Sequence, residues 1–183
     1  KRNLKIKQRK FKIQRINGIP KKFVSPPNHI LSRIREENKK IKKVRLFDRD
    51  EVFFRSGFIM PAQGRISGVY GSQRILNGQP RQPHFGIDIA APSGAKVVAP
   101  ADGIVVLAEA DLYFSGGTVI LDHGHGLTSA FLHLKKILVK KGDLVAQSDV
   151  LGLVGSTGRS TGPHLDWRVN LFKKRIDPAL LVS

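Results

Sequence analysis

The spacing of apolar positions in the first 57 residues predicts a short strand and one helix. Phe11–Gln14 alternates polar and apolar residues with period two, which is typical of a short half-buried strand. Between His29 and Arg45 the spacings of three and seven favour a helix with a narrow apolar stripe that packs lightly on a neighbour. The stripe consists of Leu31, Ile34, Ile41 and Val44. Residues 46–57 are interpreted as a linker.

From Phe58 onward the apolar segments are short and are separated by glycine-containing turns. Val97–Leu107, centred on an Asp-Gly pair, predicts a β-hairpin. Thr118–Leu121 and Ser129–Leu134 flank the His-Gly-His-Gly turn at 123–126 and predict a second hairpin. This pattern predicts a mainly β, antiparallel sandwich or barrel-like domain over residues 58–183, preceded by a basic strand-plus-helix extension over residues 1–57.

Charge is concentrated in the extension. Residues 1–50 carry 18 Lys and Arg against 4 Asp and Glu, a net charge of +14, out of +18 for the 183-residue chain. Such a segment is attracted to polyanions, and an anionic envelope polymer is the partner we consider for residues 1–50. The alternative is a solvated basic face that serves only solubility. A specific nucleic-acid partner is not expected, because no recognition motif accompanies the charge.

The chain has no cysteine, which excludes disulfides and cysteine-ligated metals. No apolar run reaches the roughly 20 residues that a membrane span requires. The sequence begins at Lys1, which is compatible with a cleaved signal, a longer precursor or a trimmed chain.

The first candidate site is His84 with Asp88, since imidazole nitrogen and carboxylate oxygen are both zinc ligands. In a regular strand, residues four apart lie roughly 13 Å from each other, at about 3.3 Å per residue. Gly86 between them permits a bend that closes this gap. The alternative is that His84 is a loop residue and Asp88 a turn-forming residue.

The second candidate site is the alternating segment from His164 to Val169. It predicts a strand with His164, Asp166 and Arg168 on one polar face, where side chains two apart can converge on one ion. The alternative is an exposed polar face. His133 stands alone among apolar neighbours, where a structural role is the commoner one.

The turn histidines, His123 and His125, are interpreted as structural. Glycines beside both of them indicate an exposed turn.

Taken in order, the motifs resemble those of the LytM/lysostaphin-type zinc metallopeptidases, which cut peptide cross-links in bacterial cell wall. The resemblance runs from about Gly64 to Pro178. It rests on His84–Pro92, Val98–Gly103, His123–Leu127, Phe131–Leu134, Val139–Asp143 and Gly155–His164.

The resemblance implies a compact antiparallel fold of the duplicated hybrid motif type with an open groove. It implies that His84 and Asp88 bind zinc (Zn2+), and that His133 and His164 flank the attacking water as catalytic residues. It also implies peptidoglycan as the substrate and a periplasmic or cell-envelope location in a bacterium.

One position departs from the family pattern. The family usually has a second histidine, the third zinc ligand, where this chain has Asp166. An aspartate can also bind zinc, but two carboxylates and one imidazole make the ligand set formally neutral with Zn²⁺, which weakens activation of water. The expected function is a zinc-dependent endopeptidase. The alternative is a weak or inactive wall-binding module that activates other hydrolases.

A carrier domain with a lipoyl or biotinyl arm is a further alternative, because Val97–Val106 and Lys141–Gly155 are similar to its half-repeats. No hairpin of the Met-Lys-Met type is present to carry the cofactor.

Overall fold

The computed structural model describes residues 10–182, which form two β-sheets and few helices. The helices are α1 (Lys21–Val24) and α2 (Leu31–Val44), with 3-10 turns at Asn28–Ile30 and Pro178–Leu180. The strands are β1 (Ile13–Ile16), β2 (Arg65–Gly68), β3 (Gln73–Leu76), β4 (Gln79–Pro80), β5 (Ile87–Ala90), β6 (Lys96–Val98), β7 (Gly103–Leu112), β8 (Gly116–Asp122), β9 (Leu127–Ile137), β10 (Leu144–Val145), β11 (Val150–Val154), β12 (His164–Leu171) and β13 (Lys174–Ile176). The predicted mainly β architecture with an N-terminal helix is confirmed. No helix among the described residues is long and apolar enough to cross a bilayer.

The larger sheet is antiparallel and has apolar residues on both faces. Its main order is β10-β7-β8-β9-β12-β5-β2, with β11 between β9 and β6, and β13 beside β12. The central strand β8 is buried along its whole length. Val119 and Leu121 point into the main core, whereas Ile120 belongs to a second cluster on the opposite face. A sheet with two apolar faces needs a cover on each of them.

Helix α2 covers the second face. Ile41 and Val44 pack against the cluster that contains Ile120, which uses the narrow apolar stripe predicted from the sequence. A polar contact fixes the helix at its middle, where Glu37 accepts a hydrogen bond from the N–H of Tyr113 (2.8 Å). The basic extension is therefore packed on the sheet through its helix.

The smaller sheet includes residues 13–16 of the extension. Strand β1 pairs in parallel with β3, from Ile13 opposite Gln73 to Ile16 opposite Leu76. The observed strand begins two residues later than the predicted one, because β3 supplies partners only for residues 13–16. Ile19 and Val24 bury their side chains with Leu76 in a small core of their own.

Of the two predicted hairpins, one is confirmed and one is wrong. Strands β8 and β9 pair across the turn at 123–126. The Asp102-Gly103 pair does not close a hairpin, since β6 pairs with β11 and β7 pairs with β8 and β10. The backbone at Ala99 instead bonds to Asp149, whose carbonyl accepts its N–H (2.9 Å). The segment thus crosses from one part of the sheet to another.

Candidate metal centre and catalytic cleft

His84 lies three residues before β5, in a segment that backbone hydrogen bonds hold in place. Its N–H donates to the carbonyl oxygen of Ser72 (2.9 Å), and the chain then bends at Gly86. A Cβ on Gly86 would lie 2.5 Å from the carbonyl oxygen of Trp167 in β12. Glycine permits this close approach, and the bend brings His84 to Asp88, which a straight strand would place roughly 13 Å away.

Asp88 and Asp166 face each other on neighbouring strands. They are directly opposite in the β5–β12 ladder, so their side chains leave the same face of the sheet about 5 Å apart. One ligand atom from each of His84, Asp88 and Asp166 lies within 4.8 Å of the other two. All three residues are buried. The structure therefore brings together the three residues that were predicted to hold a metal.

Two of these residues have buried polar atoms without a hydrogen-bond partner among the described residues. Both ring nitrogens of His84 and Oδ1 of Asp88 are in this state, although His84 Nε2 lies 3.1 Å from Asp88 Oδ1. A buried polar group left unsatisfied costs about 1–3 kcal/mol. A divalent cation bound here would satisfy one imidazole nitrogen and the carboxylate oxygen, which are both donors that zinc accepts. The donor set and the unsatisfied atoms fit a zinc ion.

Each carboxylate of the group also has an arginine partner. Arg74, from β3, donates to Oδ2 of Asp88. Arg168, two residues along β12 from Asp166, donates through Nε to Oδ1 (2.9 Å) and through a terminal nitrogen to Oδ2 (2.6 Å). The Asp166 carboxylate is thus held in a bidentate pair, which fixes its orientation.

These pairs decide the charge of the carboxylates. Burial disfavours the ionised form of Asp166, but Arg168 and then His84 offset it and hold the pKa of Asp166 well below its usual range. Burial also opposes ionisation of Asp88, and the close His84 and Arg74 nevertheless lower its pKa. Both carboxylates are therefore ionised at neutral pH, which is the form that can bind a cation.

His133 occupies a bulge in β9. Two residues of β8, Gly117 and Val119, pair with Leu134 and Phe131, so β9 carries one extra residue between them. His133 has a φ of 67°, which is uncommon for a residue with a side chain and occurs at functional sites. The bulge turns the imidazole out of the regular alternation of the strand.

Hydrogen bonds to backbone carbonyls fix the tautomers of both cleft histidines. Nδ1–H of His133 donates to the carbonyl of Thr157 (2.8 Å), and Nδ1–H of His164 donates to that of Gly162 (2.8 Å). In each ring the Nε2 lone pair is then available as an acceptor. Burial lowers the pKa of His133 to about 4, so its imidazole is neutral at neutral pH.

The two imidazoles lie next to each other and next to the metal group. Their ring centroids are 4.8 Å apart, and Nε2 of His164 lies 3.9 Å from Oδ1 of Asp88. Both line a cleft of about 700 Å³ that also contains His84 and Asp88. Gln14 and Arg15 of β1 form part of its wall, so the extension borders the cleft.

The turn histidines lie outside this cleft. His123 is fully buried: Nδ1–H donates to the carbonyl of Asp102 (2.6 Å), and Nε2 accepts from the hydroxyl of Ser129 (2.9 Å). His125 is exposed at the turn. The structural interpretation therefore agrees with the hydrogen bonds of His123, but the expectation of an exposed position is wrong for it.

Sequence reasoning did not identify the partners that orient the site. Arg74 was not singled out, and Arg168 was placed on the polar face without a role. Thr157 and Gly162 belong to a motif that was recognised as a whole, but they act through backbone carbonyls, and a carbonyl carries no residue-type signal.

Several curated proteins are similar to this chain in sequence. Peptidoglycan DD-endopeptidase ShyA of Vibrio cholerae is 42% identical over 106 residues, which are 57% of this chain and 24% of that protein. The chain spans about a quarter of the length of the curated relatives that it matches.

Two solved structures show the same fold. A zinc-containing peptidase from Vibrio cholerae superposes with a TM-score of 0.61 at 33% identity, over 66% of this chain and 39% of that one. The catalytic domain of lysostaphin from Staphylococcus simulans gives a TM-score of 0.58 at 30% identity, over 64% and 90% of the two chains. The resemblance to lysostaphin-type peptidases is thereby confirmed. Residues 82–178, more than half of the chain, match the description Peptidase family M23, and the chain belongs to that family.

Proposed function

We propose that this chain is a zinc-dependent endopeptidase that hydrolyses the peptide cross-links of bacterial peptidoglycan. The observation that carries the proposal is the buried group of His84, Asp88 and Asp166, whose unsatisfied ligand atoms lie beside two imidazoles with available Nε2 atoms. The family and the names of its relatives support the reaction and the substrate class. Action on peptidoglycan implies a periplasmic or cell-envelope location.

In this proposal His84, Asp88 and Asp166 hold the zinc ion. Zinc supplies a Lewis acid that polarises the scissile carbonyl and makes water more acidic. The three residues converge from β12, from β5 and from the bend before β5, so they are positioned before substrate arrives.

We assign His164 as the general base and His133 as the residue that orients the attacking water. The side chain of His164 is 18% exposed, so solvent can stabilise the imidazolium that forms when Nε2 takes a proton. His133 is deeply buried, and burial penalises its charged form. With Nδ1–H donated to Thr157, the Nε2 of His133 accepts a hydrogen bond from water and fixes its direction. The protonated His164 then donates its proton to the leaving amine.

The test is hydrolysis of purified cross-linked muropeptides by the zinc-loaded chain, followed by mass spectrometry of the products. We expect cleavage of the cross-link, loss of cleavage after chelation, and a fall of 10²-fold or more in His164→Ala. A folded, zinc-loaded chain that leaves every cross-link intact contradicts the proposal.

We also infer that the basic extension contacts an anionic polymer of the envelope. Lys39, Lys42 and Lys43 are exposed on α2, away from its packed stripe. Binding to immobilised anionic wall polymer should weaken steeply between 50 and 500 mM salt. Binding that does not depend on salt argues against this contact.

A further inference from the structure

The cleft is lined by more arginines than acidic residues. The cleft wall includes six guanidinium groups, those of Arg15, Arg74, Arg81, Arg159, Arg168 and Arg175. A second cavity of about 270 Å³, between α2 and the sheet, shares four of them and adds Arg45. The carboxylates that line these two cavities are Asp88 and Asp166. A metal ion in the group adds further positive charge.

Within residues 10–182, two of these arginines form an ion pair with a carboxylate and the others do not. Arg74 pairs with Asp88, and Arg168 pairs with Asp166. Among the described residues, Arg159 and Arg175 have no acidic partner in hydrogen-bond range. Arg159 lies over the ring of Phe114, with its guanidinium carbon 4.7 Å from the centroid.

The partners of Arg175 in the described part of the chain are neutral. One terminal nitrogen donates to the side-chain oxygen of Asn170 (3.0 Å), and the guanidinium lies 5.8 Å from the ring centroid of Phe85. A guanidinium has five donors, so several of them remain available to a ligand.

Both side chains are positioned by rigid backbone. Arg159 lies in the loop between β11 and β12, where its N–H donates to the carbonyl of Phe114 (2.9 Å). Arg175 lies in β13, opposite Asn170 of β12. Both residues line the cleft that contains His84, Asp88 and the two catalytic histidines.

Other arginines of the cleft repel both guanidinium groups. Burial, and then the neighbouring Arg168, Arg74 and Arg81, lower the pKa of Arg159 to about 10. Burial and Arg168 also lower the pKa of Arg175. An anion beside either guanidinium relieves this repulsion, and a carboxylate matches the fork of a guanidinium in bidentate geometry.

We propose that Arg159 and Arg175 each bind a free carboxylate of the peptide substrate in the cleft that contains His84 and Asp88. The inference rests on the proposed function, because it assumes that a peptide occupies the cleft. It makes the enzyme selective for acidic wall peptides over peptides whose carboxylates are amidated.

The experiment compares the binding of two ligands to each of four proteins. The ligands are a cross-linked wall peptide with free carboxylates and the same peptide with those groups converted to carboxamides. The proteins are the full chain, Arg159→Gln, Arg175→Gln and, as a control, Arg35→Gln. Arg35 is exposed on α2 and lines neither cavity, so its replacement removes the same charge elsewhere. Affinity is measured by calorimetry on zinc-free protein, and unfolding midpoints establish which variants are folded.

We expect the full chain and Arg35→Gln to bind the free peptide about 10- to 100-fold more tightly than the amidated one. This preference should fall to about threefold or less in each cleft variant that is folded. The two variants lie on different elements, so a failure of one to fold leaves the other as the test.

Equal affinity of the full chain for both peptides overturns the proposal. So does a preference that survives in a folded Arg159→Gln or Arg175→Gln variant, or one that Arg35→Gln loses equally. Because binding is measured without turnover, selective binding with no cleavage by the zinc-loaded chain contradicts the proposed function alone.

Discussion

At the scale of single residues, Arg168 balances the negative charge of Asp166, which stands where the family pattern usually has a histidine. Considered alone, two carboxylates make the zinc group formally neutral. In the structure, Arg168 holds Asp166 in a bidentate pair and Arg74 contacts Asp88, so two positive charges adjoin the two carboxylates. If zinc binds here, these two guanidinium groups offset part of the negative charge by which a second carboxylate would weaken the activation of water.

Arg168→Met tests this balance. Removing one partner of a buried ion pair leaves the other uncompensated, and the side chain of Asp166 is only 1% exposed. We expect the zinc-free protein to lose about 3 kcal/mol of unfolding free energy. Saturating zinc should restore a large part of it, because the metal supplies the missing positive charge. Urea unfolding with and without zinc measures both quantities, and an equal loss in the two states argues against Asp166 as a ligand.

His123 gives a prediction for the pH dependence of stability. Burial, partly offset by the carbonyl of Asp102, lowers its pKa from 6.5 to about 4. Between those values the unfolded chain binds a proton that the folded chain does not, so stability falls as pH falls from 6.5 to 4. The full loss of unfolding free energy over this range is about 3 kcal/mol.

Urea unfolding of the chain and of His123→Gln across pH 7 to 4 measures the contribution of His123 to this pH dependence. His133 has a similarly low pKa and stays in both proteins, so the difference between the curves belongs to His123. Parallel curves for the two proteins would contradict the assignment.

At the scale of elements, the site depends on the contact between the bend before β5 and strand β12. The sequence predicts the β12 strand and its polar face correctly, because alternation with period two is a local signal. The pairing of Asp88 with Asp166 is not local, and neither is the choice of β11 rather than β7 as the partner of β6. This is why the Asp-Gly pair at 102–103 misled the hairpin prediction.

Gly86→Ala tests the bend. Its Cβ would lie 2.5 Å from a backbone oxygen of β12, so the segment that carries His84 must move. We expect zinc affinity to fall about 10- to 100-fold, as for a displaced ligand. Gly162→Ala is the matched control, since a Cβ there meets nothing within 4 Å. Equal zinc affinity in the two variants would show that the close approach does not position His84.

At the scale of the whole molecule, the basic extension packs against the β-sheets. Composition separates residues 1–57 from the rest, and the boundary at Phe58 stays a prediction. The structure shows α2 on the outer face of the larger sheet and β1 paired with β3. Charge composition could not predict this packing. The only signal for it in the sequence is the narrow apolar stripe of α2, which faces the sheet.

Deletion of residues 1–57 tests whether the extension is separable. It uncovers the cluster that includes Ile120 and Leu132, which Ile41 and Val44 cover in the full chain. At about 25 cal/mol per Å² of apolar surface, we expect a loss of several kcal/mol in unfolding free energy and a tendency to aggregate. A truncated chain with an unchanged urea midpoint would establish an independent β domain.

The central claim, that His84, Asp88 and Asp166 form one metal site, is tested most directly by zinc titration of the chain and its Asp166→Ala variant. We predict one zinc ion per chain in the parent protein. In the variant the affinity should be at least 100-fold lower, with the fold retained by circular dichroism. Unchanged zinc stoichiometry and affinity in Asp166→Ala would contradict the account.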